Sequence, residues 1–185
     1  MGPLQEDALQ KAADLLSTAA SPVILNGAGV VLADAISETM KLAERLEAPV
    51  CVGYQHNDAF PGSHPLFAGP LGYNGSKAGM ELIAQADVVL CLGTRLNPFS
   101  TLPCYGIDYW PKGAKIIQVD INPDRIGLTK KVSVGIIGDA KKVASSLLER
   151  LSDSAGDKGR DERKARISQT KSKWAQQLSS MDHED

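Results

Sequence analysis

The chain has 185 residues, enough for one domain with a real core and an appendage. Its formal net charge of −2 gives no electrostatic reason to expect nucleic acid or an anionic membrane, and an aromatic content of 5% argues against a base-stacking platform. The three cysteines, Cys51, Cys91 and Cys104, lie far apart with no C-x-x-C pair, so a structural zinc site is not expected. No apolar run approaches the ~20 residues of a membrane span and no signal-peptide pattern opens the chain, so a reducing, cytoplasmic setting is expected.

Apolar residues Leu4, Ala8, Leu9, Ala12, Leu15, Leu16 and Ala19 recur at helical spacing and predict an amphipathic helix over 5–19. It ends before Ser21-Pro22, because proline restricts the residue before it. Val23-Ile24-Leu25 is a short run that reads as a buried strand. Asn26-Gly27-Ala28-Gly29 then turns the chain, and a helix is predicted over 31–47 with Leu32, Ile36, Met40, Ala43 and Leu46 on its apolar face. Strand, glycine turn and helix is the opening of a nucleotide-type α/β unit. There, glycine permits a tight turn and lets backbone N–H groups approach a phosphate. Leu32 replaces the third glycine of the dinucleotide fingerprint, so a tight turn that binds nothing is the competing reading.

Val50-Cys51-Val52 is the next strand, with Cys51 and Cys91 read as small core residues. Residues 53–76 read as one long irregular stretch containing His56 and His64, neither with a partner at metal-ligand spacing. Ser76 is placed to cap a helix running to about Ala86. Asp87 to Leu92 is a strong strand ending in Gly93-Thr94-Arg95, at the carboxyl end where open α/β sheets bind ligands. Lys115 to Asp120 is another strand, followed by Ile121-Asn122-Pro123. Asp120 is positioned either to accept from a ribose hydroxyl or to serve as a turn residue. Val132 to Ile137 is a last strand, and Gly138-Asp139 opens a helix through Ala140, Val143, Ala144, Leu147, Leu148 and Leu151.

Strand and helix alternate with crossovers long enough for parallel pairing, and the apolar runs are continuous. The fold class is therefore α/β: a doubly wound Rossmann-like parallel sheet of about six strands, with helices on both faces. Residues 1–151 form this domain. Residues 152–185 form a charged linker and C-terminal linker helix with a sparse stripe of Ile167, Trp174, Leu178 and Met181, too little to fold alone. The candidate nucleotide-contacting residues are Asn26, Gly27, Ala28, Gly29, Thr94, Arg95, Asp120 and Asn122, with Arg95 suited to a diphosphate. Tyr54, His56, Tyr105 and Trp110 sit on loops whose aromatics suit packing at an interface.

Several segments together are familiar: Pro22 to Gly29, Leu46-Glu-Ala-Pro49, Asp87 to Arg95, Ile117 to Pro123 and Gly138-Asp139. Their order resembles the central domain of thiamine-diphosphate enzymes of the acetohydroxyacid synthase and pyruvate oxidase type. Asn97 to Pro103, Tyr105 to Pro111 and Gln118 to Gly127 are most similar to the sulfoacetaldehyde acetyltransferase family, and the ending Met181 to Asp185 fits it too. The resemblance implies a full enzyme that converts sulfoacetaldehyde and phosphate to acetyl phosphate and sulfite with thiamine diphosphate and magnesium. Flanking N- and C-terminal domains would bind the cofactor and be this chain's partners in a homo-oligomer. Neither the activating glutamate nor a Gly-Asp-Gly motif can be assigned here, so the resemblance implies a middle domain that is inactive alone, with no catalytic or metal residue. Some members bind FAD or an adenine nucleotide in this domain. The flavin-binding ones carry a Phe-Asp-Asp-Arg type run where this chain has Leu96-Asn-Pro-Phe99, which argues against FAD. A regulatory module binding ADP, FAD or coenzyme A is the alternative to a scaffold, and a sirtuin-like deacylase ranks last because the cysteines cannot form its zinc quartet.

Overall fold

The computed structural model describes residues 5–181. Leu4 of the first predicted helix and residues 182–185 of the ending lie outside them. Six parallel strands form one sheet in the order β3-β2-β1-β4-β5-β6. They are β1 (Pro22–Asn26), β2 (Val50–Val52), β3 (Phe67–Pro70), β4 (Val88–Leu92), β5 (Lys115–Asp120) and β6 (Val134–Ile137). All five residues of β1 and of β4 are buried, as they must be where helices cover both faces. Helices α1 (Glu6–Thr18), α3 (Ile36–Leu46) and α5 (Ala140–Arg150) pack together, whereas α4 (Lys77–Ile83) packs against α6 (Arg160–Met181). A short α2 (Ala28–Leu32) lies between β1 and α3.

Two elements differ from the sequence reading. The helix predicted over 31–47 is two helices, broken at Asp34, whose φ of 51° is left-handed. Asp tolerates that region better than most side chains, because its short polar group bonds locally. The break takes Leu32 off the apolar face: it is 87% exposed. The second difference is β3, which lies inside the stretch read as irregular. Gly69 and Pro70 hide it, since both are poor strand formers, and an edge strand tolerates proline at its end.

The cap expected at Ser76 is made, and Asp139, expected only in the turn that opens α5, caps that helix as well. Ser76 Oγ accepts from Gly79 N–H at 3.2 Å, and Asp139 Oδ1 accepts from Lys142 N–H at 3.0 Å. Asp87 lies just outside β4 and clips the α1–β1 turn, accepting from Ala20 and Ser21 N–H at 2.7 and 2.9 Å. Cys51 and Cys91 are both in register with Leu25, so they stand two strand spacings apart, about 9.5 Å, beyond disulfide reach.

The charged segment after α5 is fastened by arginines. Arg45 donates to the Ser152, Asp153 and Ala155 carbonyls. Arg163 is 3% exposed and donates to the Ala20, Leu46, Glu47, Gly156 and Lys158 carbonyls, gathering the ends of α1 and α3 with the linker. Ile167 is buried beside them, and the Trp174 ring meets Tyr105 edge-on at 5.5 Å.

Candidate functional site at the strand switch point

The strand order reverses between β1 and β4, because the chain runs outward from β1 to β3 and then crosses to β4 on the other side. Loops leaving these strands diverge there, and ligands of open α/β sheets bind in the resulting crevice. Two adjoining clefts occupy that place. One, of about 240 Å³, is lined by Ala28, Gly29, Leu32, Asp120, Arg125 and Asp139 among others. The other, of about 200 Å³, includes Gly27, Ala28, His56, Thr94, Arg95 and Arg125. Ala28, Gly93 and Arg125 border both.

Six of the eight residues expected from sequence therefore line the crevice, and two do not. Asn26 is fully buried and fastens a loop instead, its Nδ2 donating to the Ala59 carbonyl at 2.9 Å. Asn122 caps a 3-10 turn over Pro123–Arg125, accepting from Asp124 N–H at 2.9 Å. Asp120 is 4% exposed and borders the crevice, yet its Oδ1 accepts from Asn122 N–H at 2.9 Å, which is the turn role. Thr94 Oγ1 accepts from Leu96 N–H at 3.2 Å.

The glycine turn is used differently from the phosphate cradle that its spacing suggests. Gly27 N–H donates to the Leu92 carbonyl and Gly29 N–H to the Gly93 carbonyl, both at 2.9 Å. A Cβ on Gly29 would stand 2.6 Å from Gly93 Cα, and one on Gly27 2.6 Å from the Gly93 oxygen. The glycines thus let the β1 turn lie flat on the β4 turn, and two of its N–H groups are occupied by that contact. The helix that follows has only five residues, too short to present a helix N-terminus of any strength.

Arg125 is the residue that sequence reasoning missed. It follows Asn122-Pro123-Asp124, and the signal was the proline-started turn at the carboxyl end of β5, which throws the next side chain back over the sheet edge. Asp139 was noticed only in the turn that opens α5, yet it lines the crevice too. His64 accepts from Leu66 N–H at Nδ1 (3.1 Å) and faces Glu44 with Nε2 (3.2 Å), so it is a loop fastener.

Among the described residues, no three His, Cys, Asp or Glu side chains are gathered to hold a metal ion, and no helix is long and apolar enough to cross a membrane. Gly138-Asp139 does not fit a diphosphate-and-metal motif, because the Asp139 carboxylate caps α5.

Comparison with known proteins agrees with this architecture. The chain is 77% identical over 179 residues to a sulfoacetaldehyde acetyltransferase of Roseovarius nubinhibens, covering 97% of this chain and 30% of that protein. It is 75% identical over 178 residues to the enzyme of that name from Rhodobacter capsulatus, covering 96% and 30%. A probable acetolactate synthase large subunit of Methanocaldococcus jannaschii is 39% identical over 149 residues, 80% of this chain and 24% of that one. The chain thus spans about a third of the length of the curated relatives it matches. Among solved structures, a thiamin diphosphate-dependent enzyme from Mycobacterium smegmatis superposes with a TM-score of 0.65 at 25% identity, covering 81% of this chain and 28% of that one. The model for the central domain of thiamine pyrophosphate enzymes matches residues 9–147, which is the sheet with its helices from α1 to α5. With that match across most of its length, the chain belongs to the family of thiamine pyrophosphate enzyme central domains.

Proposed function

We propose that this chain is the scaffold domain of a sulfoacetaldehyde acetyltransferase, inactive by itself. The parent enzyme would take sulfoacetaldehyde and phosphate to acetyl phosphate and sulfite in the cytoplasm. Its thiamine diphosphate and magnesium would be held by domains flanking residues 1–151, with residues 152–185 leading to the second. The observation that carries the scaffold role is the occupied glycine turn: Gly27 and Gly29 N–H bond to β4, so the feature that suggests phosphate binding serves packing. Tyr54, Tyr73, Phe99 and Tyr105 remain partly exposed on loops at the carboxyl side of the sheet, a surface suited to the flanking domains or a second subunit of a homo-oligomer. The test is release of acetyl phosphate. The purified chain with sulfoacetaldehyde, phosphate, thiamine diphosphate and magnesium is expected to give none, and co-expression with the flanking segments of a relative is expected to restore it. Turnover by the chain alone would refute the reading.

A second reading is favoured by one observation, the crevice itself, in which Arg125 borders both clefts and Arg95 one of them, neither with an ion-pair partner among the described residues. In that reading the domain binds ADP, FAD or coenzyme A as a regulator. Calorimetric titration with each decides it. Saturable one-site heat that Arg125→Ala or Arg95→Ala weakens supports a nucleotide module, and no heat from a folded chain supports the scaffold.

A further inference from the structure

At the opposite, amino edge of the sheet, where β5 and β6 begin, lies a cleft of about 400 Å³. Its lining includes Trp110, Lys112, Lys115, Lys130, Lys131 and Ser133, and no carboxylate. For a chain of net charge −2 this is a marked local excess. Lys112 is neutralised by Asp108 at 2.8 Å, but Lys115, Lys130 and Lys131 have no ion-pair partner among the described residues. Asp108 is held below the ordinary carboxylate range first by its hydrogen bond to Lys112, with a smaller contribution from Lys130, so this neighbouring acid is already engaged.

The groups are also placed on rigid parts. Lys130 Nζ lies 5.1 Å from the centre of the Trp110 ring, a cation–π contact that fixes its ammonium at the cleft. Lys115 is the first residue of β5. Ser133 Oγ accepts from Ile116 N–H at 3.2 Å, which leaves its own proton free to donate into the cleft. Thr129 Oγ1 is engaged with the Leu96 carbonyl at 2.7 Å and anchors the loop carrying the two adjacent lysines. Lys115, Lys130 and Lys131 line one concave surface without a direct ion pair, and an anion bound there reduces their mutual repulsion. Lysines hold phosphoryl oxygens as point charges, and hydroxyl donors complete such sites.

We propose that this lysine cleft is a second ligand site, separate from the switch-point crevice, and that it takes a compact multiply charged anion of the diphosphate class. The crevice lies across the sheet at the carboxyl ends of the strands, so the two sites are separable by mutation.

Trp110 provides the readout, because an anion that draws Lys130 away changes the environment of the indole. Trp174→Phe removes the second tryptophan, and pyrophosphate is titrated in at constant ionic strength. The expected result is a saturable change in Trp110 emission, with Kd raised at least tenfold by Lys115→Gln with Lys131→Gln. Both are exposed positions, so the variant keeps its circular dichroism; Lys131→Gln alone gives the same direction, about threefold. Arg125→Ala leaves the titration unchanged. A response that does not saturate, or a Kd within twofold of the parent in the double variant, overturns the proposal. So does a hexaglutamate peptide that binds more tightly than pyrophosphate, since the cleft would then be a docking surface for an acidic segment.

Discussion

Replacing Arg163 by methionine removes the charge while keeping length and helix propensity, and tests whether the segment after α5 is part of the folded unit. The side chain is 3% exposed and makes five hydrogen bonds of 2.6 to 2.8 Å to carbonyls. Bonds to a charged group contribute ~1.5–3 kcal/mol each. Their simple sum overstates the effect, because the guanidinium loses its hydration. Burial pushes its pKa below the usual value, with Arg160 adding to that and Glu47 and Asp87 opposing it. A buried carbonyl left without its partner costs ~1–3 kcal/mol, and those of Leu46 and Gly156 are the fully buried ones here. The groups left behind are the carbonyls of Ala20, Leu46, Glu47, Gly156 and Lys158, two of them fully buried, so a loss of ~4 kcal/mol is expected. For a chain of this length that corresponds to a fall in Tm of roughly 8–16 °C. Arg163→Lys keeps the charge but offers three donors from one point, and should recover no more than about half of the loss. Urea unfolding gives the size, and hydrogen exchange gives the place: amides of 152–160 should exchange faster in the methionine variant. A loss below ~1 kcal/mol, or one with unchanged exchange in that segment, would refute the reasoning.

Other changes probe the crevice and the core. Gly29→Ala sets a Cβ 2.6 Å from Gly93 Cα, a clash of backbone with backbone that no rotamer relieves, and should cost at least ~3 kcal/mol in a urea titration. Asp139→Ala removes the cap of α5 and should cost ~1 kcal/mol by the same measurement, with the crevice otherwise intact. The Cys51 thiol is pushed by burial from 9.0 up to about 12, and Cys91 is pushed up as well. The unfolded chain therefore loses those protons first as pH rises. Stability is unaffected below about pH 9 and falls as pH climbs from there toward 12, by up to ~1.4 kcal/mol per pH unit for each thiol. Unfolding at pH 8 and pH 10 should show that fall, and Cys51→Ala with Cys91→Ala should remove most of it. In native buffer at pH 8, a thiol reagent should label no more than Cys104 within minutes.

What could be read from the residues depended on how local the cause was. Val23-Ile24-Leu25 and Val88 to Leu92 announce themselves because strands covered on both faces must be apolar at every position. Ser76 was legible as a cap because capping needs one residue type a few positions from its target. The hidden strand β3 has its cause at long range: Phe67 to Pro70 pairs only because β2 is already there, and its own composition speaks for a loop. The helix break at Asp34 is a single dihedral choice that leaves the apolar periodicity of 36–46 untouched. The crevice was partly legible. Placing candidates at carboxyl ends of strands brought Gly27, Ala28, Gly29, Thr94, Arg95 and Asp120 to its walls. Asn26 and Asn122 lie outside them: Asn122 caps its own turn, and Asn26 is buried at the end of β1 with its Nδ2 on the distant Ala59 carbonyl. Nothing local could show that the glycine turn bonds to β4, since that requires β4 to be its neighbour in the sheet.

That last fact bears on what the crevice can hold. In a phosphate-binding turn the backbone supplies donors that are fixed before the ligand arrives, which is why such sites bind tightly. Here Gly27 and Gly29 N–H are engaged, so negative charge at the switch point falls mainly to the Arg95 and Arg125 side chains. Both are exposed, and ordering them costs ~1.5–2 kcal/mol of side-chain entropy apiece. Their attraction for a diphosphate is screened by salt in a way that buried backbone donors escape. Any ADP affinity should therefore be modest and fall at least severalfold between 50 and 300 mM potassium chloride, which calorimetry reads directly. Salt-insensitive binding would mean that the turn releases its bonds to Leu92 and Gly93 when ligand arrives. Leu32 and Ile121, 87% and 61% exposed at the rim, offer a diphosphate no side-chain donor, so they add nothing to that affinity.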